Sequence, residues 1–164
     1  MIEQIMNKMI LQCQGHLKKH DVAHLIKVHS YARLIGQLEQ LDDQTQQILE
    51  ISAIVHDIAC PLCREKYGST LGKYQEKEGP ALVLQFLAEF SLADDTVERI
   101  MYLVGHHHSY DDVDGIDYQI LLEADFLVNG DEMNLNDQQI RSMKDKVFKT
   151  KSGLALLNAI YDLA

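Results

Sequence analysis

Four residues of this chain carry side chains suited to a single divalent metal ion: His24, the adjacent pair His56-Asp57, and Asp125. The pair closes a largely apolar run, Ile48 to Val55, in which only Glu50 and Ser52 are polar. Ionisable groups in such a setting are seldom fully buried unless they are paired or bind a metal. Asp125 stands among Leu121, Leu122, Phe126 and Leu127, where an unpartnered carboxylate is costly. Two imidazoles and two carboxylates suit zinc, manganese, iron, cobalt or magnesium. The chemistry such an ion supplies is hydrolytic, because it brings the pKa of a bound water toward neutrality.

Helices must position these groups. Apolar residues recur at i, i+3 and i+4 over 3–14 and 21–40. Asp42 or Asp43 predicts the cap of a third helix over about 44–58. Gly79-Pro80 suits the first turn of a helix near 80–90, and Ser91 with Asp94 a capping arrangement that opens one through about 106. Further helices are predicted near 117–129, 137–147 and 151–163. No alternating strand pattern is present, so the predicted fold is all-α, a single-domain helical bundle over 1–164. Ala59 to about Glu78 reads as a long connection, and connections of that length tend to be functional.

Composition narrows the function classes. Hydrophobic residues make up 46% of the 164, and charged residues 24%, a globular balance. The net charge of −10 argues against a nucleic-acid backbone as partner. A small phosphorylated substrate survives that objection, since a metal and a few local cations suffice to hold it. No apolar run approaches the roughly 20 residues of a membrane span, so no membrane partner is expected. The opening residues lack the basic region and cleavage site of a signal peptide. With only Cys13, Cys60 and Cys63 as thiols, the expected location is cytoplasmic.

The residues around the four ligands, His24-Leu25-Ile26-Lys27-Val28 and Leu121-Leu122-Glu123-Ala124-Asp125-Phe126-Leu127, give the chain its likeness to a known family. From about 21 to 131 it resembles the HD-domain superfamily of metal-dependent phosphohydrolases, marked by a His, a His-Asp pair and a distal Asp on an all-α scaffold. The resemblance implies an HD-type domain with helices 137–163 packed on it. It also implies a metal held by His24, His56, Asp57 and Asp125, with Asp57 reaching the activated water. The activity implied is hydrolysis of a small phosphate ester, a nucleotide or related metabolite. A nucleotide-sensing module with weak catalysis is the alternative. Some relatives hold two ions, using extra histidines; a cyclic or dinucleotide phosphodiesterase, or a di-iron oxygenase, would need that second ion. His106-His107-His108 could supply part of a second site, or could be a solvated helix end. Where such relatives carry a further His, this chain has Gln75 or Glu76, so one tightly bound ion is expected. Glu76 is then a candidate oxygen ligand or general base, and His107 a contact to the leaving group.

Among cations, Lys27 follows His24 by one helical turn and is the first candidate to meet a phosphate oxygen. Arg64, Lys66, Lys73 and Lys77 are further candidates, with Arg64 and Lys77 reading as solvated charges. Cys60-Pro61-Leu62-Cys63 is a lone CxxC, weak as a zinc or redox motif. The stretch Gly68 to Tyr74 departs from a P-loop, with one residue missing and Tyr74 where Ser or Thr must stand. Substrate specificity is expected in 59–78 and 109–117. The oligomeric state is left open, since the apolar 151–163 helix can pack internally or on a second subunit.

Overall fold

Helices with one apolar stripe must bury that stripe, and helices apolar all round must be enclosed by others. Both kinds occur in the computed structural model of the protein, which describes residues 1–12 and 17–163. Nine helices are present among the described residues: α1 (Ile2–Gln12), α2 (Lys19–Leu38), α3 (Asp43–Val55), α4 (Cys60–Tyr67), α5 (Gly72–Leu87), α6 (Asp94–Val104), α7 (Ile116–Glu132), α8 (Asp137–Val147) and α9 (Lys151–Ile160). No strand is present among the described residues. The fold is an all-α bundle, as its periodicity predicts. Cys13 lies outside the described residues.

The enclosed helices are α3 and α7. Every residue from Ile48 to Val55 is buried, as is every residue from Asp117 to Val128 except Gln119. α3 packs on α1, α2, α6 and α7, and α2 packs on both α3 and α7. These two enclosed helices also position His56, directly after the end of α3, and Asp125. Asp42, one of the two predicted caps, accepts from the backbone N–H groups of Gln44 and Thr45 at 3.1 and 3.0 Å.

Three expectations are corrected. The 59–78 segment is not a long loop but holds α4 and the start of α5. Pro61 suits the first turn of α4, and Gly68 ends that helix at φ +62°, a left-handed value that favours glycine. Pro80 lies inside α5 rather than at its start. Gly79 beside it lets α5 approach α6 closely, since a Cβ there would stand 2.7 Å from Val104 Cγ1. Ser91 does not cap α6, which begins after Ala93 without a side-chain cap.

The C-terminal helices dock on the bundle: α8 on α7, and α9 on α7 and α2. Buried Glu123 accepts from the backbone N–H groups of Lys149 and Thr150 at 2.7 and 2.9 Å. It also accepts from Gln119 Nε2 at 2.7 Å and from the Thr150 hydroxyl. α9 thus packs internally, with Leu157 fully buried. No helix among the described residues is long and apolar enough to cross a membrane.

Candidate metal centre

Two consecutive residues on an ideal helix diverge by about 100°, so His56 and Asp57 can share a target only at a helix end. α3 stops at Val55, and residues 56–59 form a turn. That turn meets the inner face of α2 at His24 and the middle of α7 at Asp125. The four residues named by the sequence converge. His24 Nε2 and His56 Nε2 lie 3.2 Å apart. Asp125 Oδ1 is 3.1 Å from the first and 3.6 Å from the second. Asp57 Oδ2 lies 3.6 and 3.7 Å from the same two nitrogens.

Protons decide what this cluster can hold. His24 Nδ1 lies 2.8 Å from Glu132 Oε2, and His56 Nδ1 2.9 Å from the Ala53 carbonyl oxygen. Both oxygens accept, so each Nδ1 carries its hydrogen and each neutral ring presents a lone pair at Nε2. Two lone pairs facing at 3.2 Å, with carboxylate oxygens beside them, repel unless a cation or a proton lies between. The donor set therefore fits a divalent ion. A proton is the substitute in its absence. Burial by itself would lower the His24 pKa, but Asp125, Asp57 and Glu132 outweigh it and raise the value to about 9. Burial likewise opposes ionisation of Asp57 and Asp125. The imidazoles of His56 and His107 hold Asp57, and those of His24 and His56 hold Asp125, well below the usual carboxylate range.

The histidine triplet does not act as one unit. His106 is exposed and donates from Nδ1 to the Tyr102 carbonyl at 2.7 Å. His107 is buried and donates from Nδ1 to the Val104 carbonyl at 2.8 Å, leaving Nε2 without a hydrogen-bond partner. Its Nε2 lies 3.6 Å from Asp57 Oδ1. His108 Nε2 is also buried and unpartnered, and burial with the neighbouring His107 lowers its pKa to about 4. Asp57, His107 and His108 thus form a second convergent group, sharing Asp57 with the first. The buried Tyr118 hydroxyl, 2.7 and 2.6 Å from the carbonyl oxygens of His106 and Ser109, braces this turn.

Other nominated residues fall elsewhere. Lys27 has its ammonium 2.5 Å from Glu132 Oε1, and it is not among the residues that line the cavity. Glu76 Oε1 accepts from the His108 backbone N–H and the Ser109 hydroxyl at 3.0 Å each. Its role is to tie α5 to the histidine turn. Gln75 is buried on the cavity wall, held by the Cys60 thiol at 3.3 Å and the Thr70 carbonyl at 2.8 Å. Cys60 and Cys63 are both buried and free, and burial raises both thiol pKa values, so neither is a reactive thiolate. Arg64 is not a solvated charge but pairs with Asp21 through both outer nitrogens, at 2.9 and 2.5 Å.

Sequence reading missed Glu132. It sits two turns beyond Asp125, on the same face of α7, and the signal available was that spacing of seven. Its carboxylate fixes the His24 ring, as second partners of metal-bound histidines do. Glu132→Gln is expected to weaken metal binding by about ten- to a hundredfold while keeping the fold. Competition with a chelating dye measures this; an unchanged dissociation constant would leave Glu132 as a surface anchor for Lys27 alone.

The cavity above these ligands measures about 870 Å³ and is lined by Asp57, Asp125, Gln75 and Arg64 on one side. Its other side is made by the end of α7, the 133–136 connection and α8. Comparison with protein families, with characterised proteins and with solved structures found no match to this chain.

Proposed function

We propose that this chain is a metal-dependent phosphohydrolase of the HD-domain kind, acting in the cytoplasm on a small phosphate ester such as a nucleotide or related metabolite. The observation that carries the reading is the pair of lone-pair nitrogens, His24 Nε2 and His56 Nε2, held face to face at 3.2 Å beside Asp125. His24, His56, Asp57 and Asp125 would hold the ion. Such an ion supplies a water nucleophile near neutral pH and stabilises charge on phosphoryl oxygens.

The chain's own groups supply the rest. Asp57 Oδ2 faces the ligand nitrogens, and Asp57 Oδ1 faces His107, so this carboxylate is set to orient a water and accept its proton. Water oxygen adds to phosphorus, the ester P–O bond breaks, and the departing alkoxide takes a proton. Asp57 gives the proton it took back to that alkoxide, and His107, buried behind it with Nε2 at 3.6 Å from Asp57 Oδ1, is placed to share the proton with Asp57. A cavity of about 870 Å³ has the size of small-molecule sites.

The test loads purified chain with Mn²⁺, Co²⁺, Zn²⁺, Fe²⁺ or Mg²⁺, counts retained ions after dialysis, and screens phosphorylated metabolites for phosphate release. About one ion per chain and turnover of at least one small ester are expected. Stoichiometric metal with ligand binding but no turnover would move the reading to a nucleotide-sensing module. No retained metal and no phosphate release would sink it. The unpartnered Nε2 atoms of His107 and His108 favour a second reading, a two-ion phosphodiesterase. Two retained ions with faster cleavage of cyclic or dinucleotide diesters would select it.

A further inference from the structure

One wall of the cavity lies apart from the ligand-bearing residues. It comes from the later turns of α7, from 133–136 and from α8, through Phe126, Asn129, Met133, Leu135, Gln138 and Met143. With Gln139 and Ser142, which line the same wall, four of its eight residues are apolar and four are polar and uncharged; none carries charge. The wall is fixed rather than loose. Asn136 and Gln139 cap α8 reciprocally at 3.0 Å each. Ile140 is buried against Gly130, where an added Cβ would lie 3.0 Å from Ile140 Cδ1. Lys144 Nζ donates to Asn158 at 2.7 Å, tying α8 to α9.

The opposite side is poor in available positive charge. Among the described residues, Arg64 is the one Lys or Arg that lines the cavity, and Asp21 occupies both its outer nitrogens. Lys27 is occupied by Glu132. Asp57 and Asp125 offset the charge of a single divalent ion. No unpaired Lys or Arg among the described residues lines the cavity to meet a second or third phosphate, each of which would add negative charge beside existing carboxylates.

Resting on the phosphohydrolase reading, we propose that the substrate carries one phosphoryl group on an uncharged organic group, which the α7–α8 wall selects. Phe126, Met133, Leu135 and Met143 cover its apolar faces, and Asn129 and Gln138 meet its polar edges. Polyphosphorylated compounds are discriminated against by charge.

The test uses the full chain loaded with Mn²⁺. The probes are adenosine and thymidine, their 5′-mono-, di- and triphosphates, and glycerol 3-phosphate, which offers a phosphate without a large organic group. The monophosphate of at least one nucleoside is expected to exceed its diphosphate about tenfold in kcat/KM, and its triphosphate about a hundredfold. It should exceed glycerol 3-phosphate at least tenfold, mainly through KM. Met143→Arg should raise the monophosphate KM at least tenfold with kcat changed less than threefold, and should weaken nucleoside binding in parallel. It should also narrow the discrimination against the triphosphate. Gln138→Arg, at an exposed position, makes the same test if the first variant does not fold.

Triphosphates cleaved as fast as monophosphates, glycerol 3-phosphate preferred to both monophosphates, or an unmoved KM in both variants would overturn the inference while leaving the phosphohydrolase reading standing. Monophosphate and nucleoside bound by the wild type, lost in Met143→Arg and never hydrolysed, would overturn the hydrolase reading and leave the wall as a selector of uncharged groups. Absence of both binding and turnover for every probe would overturn both.

Discussion

Asp57→Ala should bind divalent metal too weakly to survive dialysis and should lose phosphate release by about a thousandfold or more. Asp57 is the one carboxylate shared by both convergent groups, with Oδ2 toward His24 and His56 and Oδ1 toward His107. Its distances to those nitrogens, 3.6 to 3.7 Å, are longer than hydrogen bonds, so its removal breaks no close hydrogen bond between helices. Removing it should leave the far-ultraviolet spectrum unchanged, and the melting of chelator-treated protein should remain cooperative. Loss of the ion with retention of fold separates a functional group from a structural one. A variant that kept full metal occupancy and normal turnover would remove Asp57 from the ligand set and with it the proposed chemistry.

The second large effect is a dependence on pH with opposite signs in chelated and metal-loaded protein. His24 titrates at about 9 in the folded chain without metal, against 6.5 for the ordinary imidazole. A raised value means that protonation stabilises the fold. That contribution is complete below pH 6.5 and is lost as pH rises through about 9. The difference corresponds to about 3 kcal/mol. The depressed values of Asp57 and Asp125 act only in acid, where protonating them removes stability, so they do not reverse the trend in this window. Metal must displace the His24 proton, so its affinity should rise by about tenfold per pH unit between 6.5 and 9. Denaturant unfolding in chelator should show stability falling over that range, while stabilisation by Mn²⁺ grows. Chelated protein whose stability is flat or rises across the window would show that His24 is not held as an imidazolium.

Much of the architecture was legible because helical periodicity is a local property. The boundaries of α8 and the cap at Asp42 follow from residues within a few positions of each other. The four residues first singled out could be found because each is an ionisable group set in an apolar context, and that contrast is visible along the chain. Local signals also misled where a neighbour in space decided the outcome. Pro80 reads as a helix start, yet it lies inside α5, beside the Gly79 that α6 approaches through Val104. Ser91 and Asp94 have the spacing of a cap, but Ala93 occupies the cap position.

What the sequence determined by itself was therefore the all-α class and the set of groups able to bind a cation. Tertiary structure decided which partner each group has. Lys27 shares a face with His24, as its spacing requires, but a salt bridge depends on what approaches from another helix, and there Glu132 takes it. Arg64 and Asp21 are far apart in the chain and meet only because α4 folds back on the start of α2. The same holds for the lone pairs of His24 and His56, whose direction is fixed by hydrogen bonds from their other ring nitrogens. Spacing along a chain fixes direction within one helix; charge pairing and proton placement depend on distances between helices, and only packing sets those.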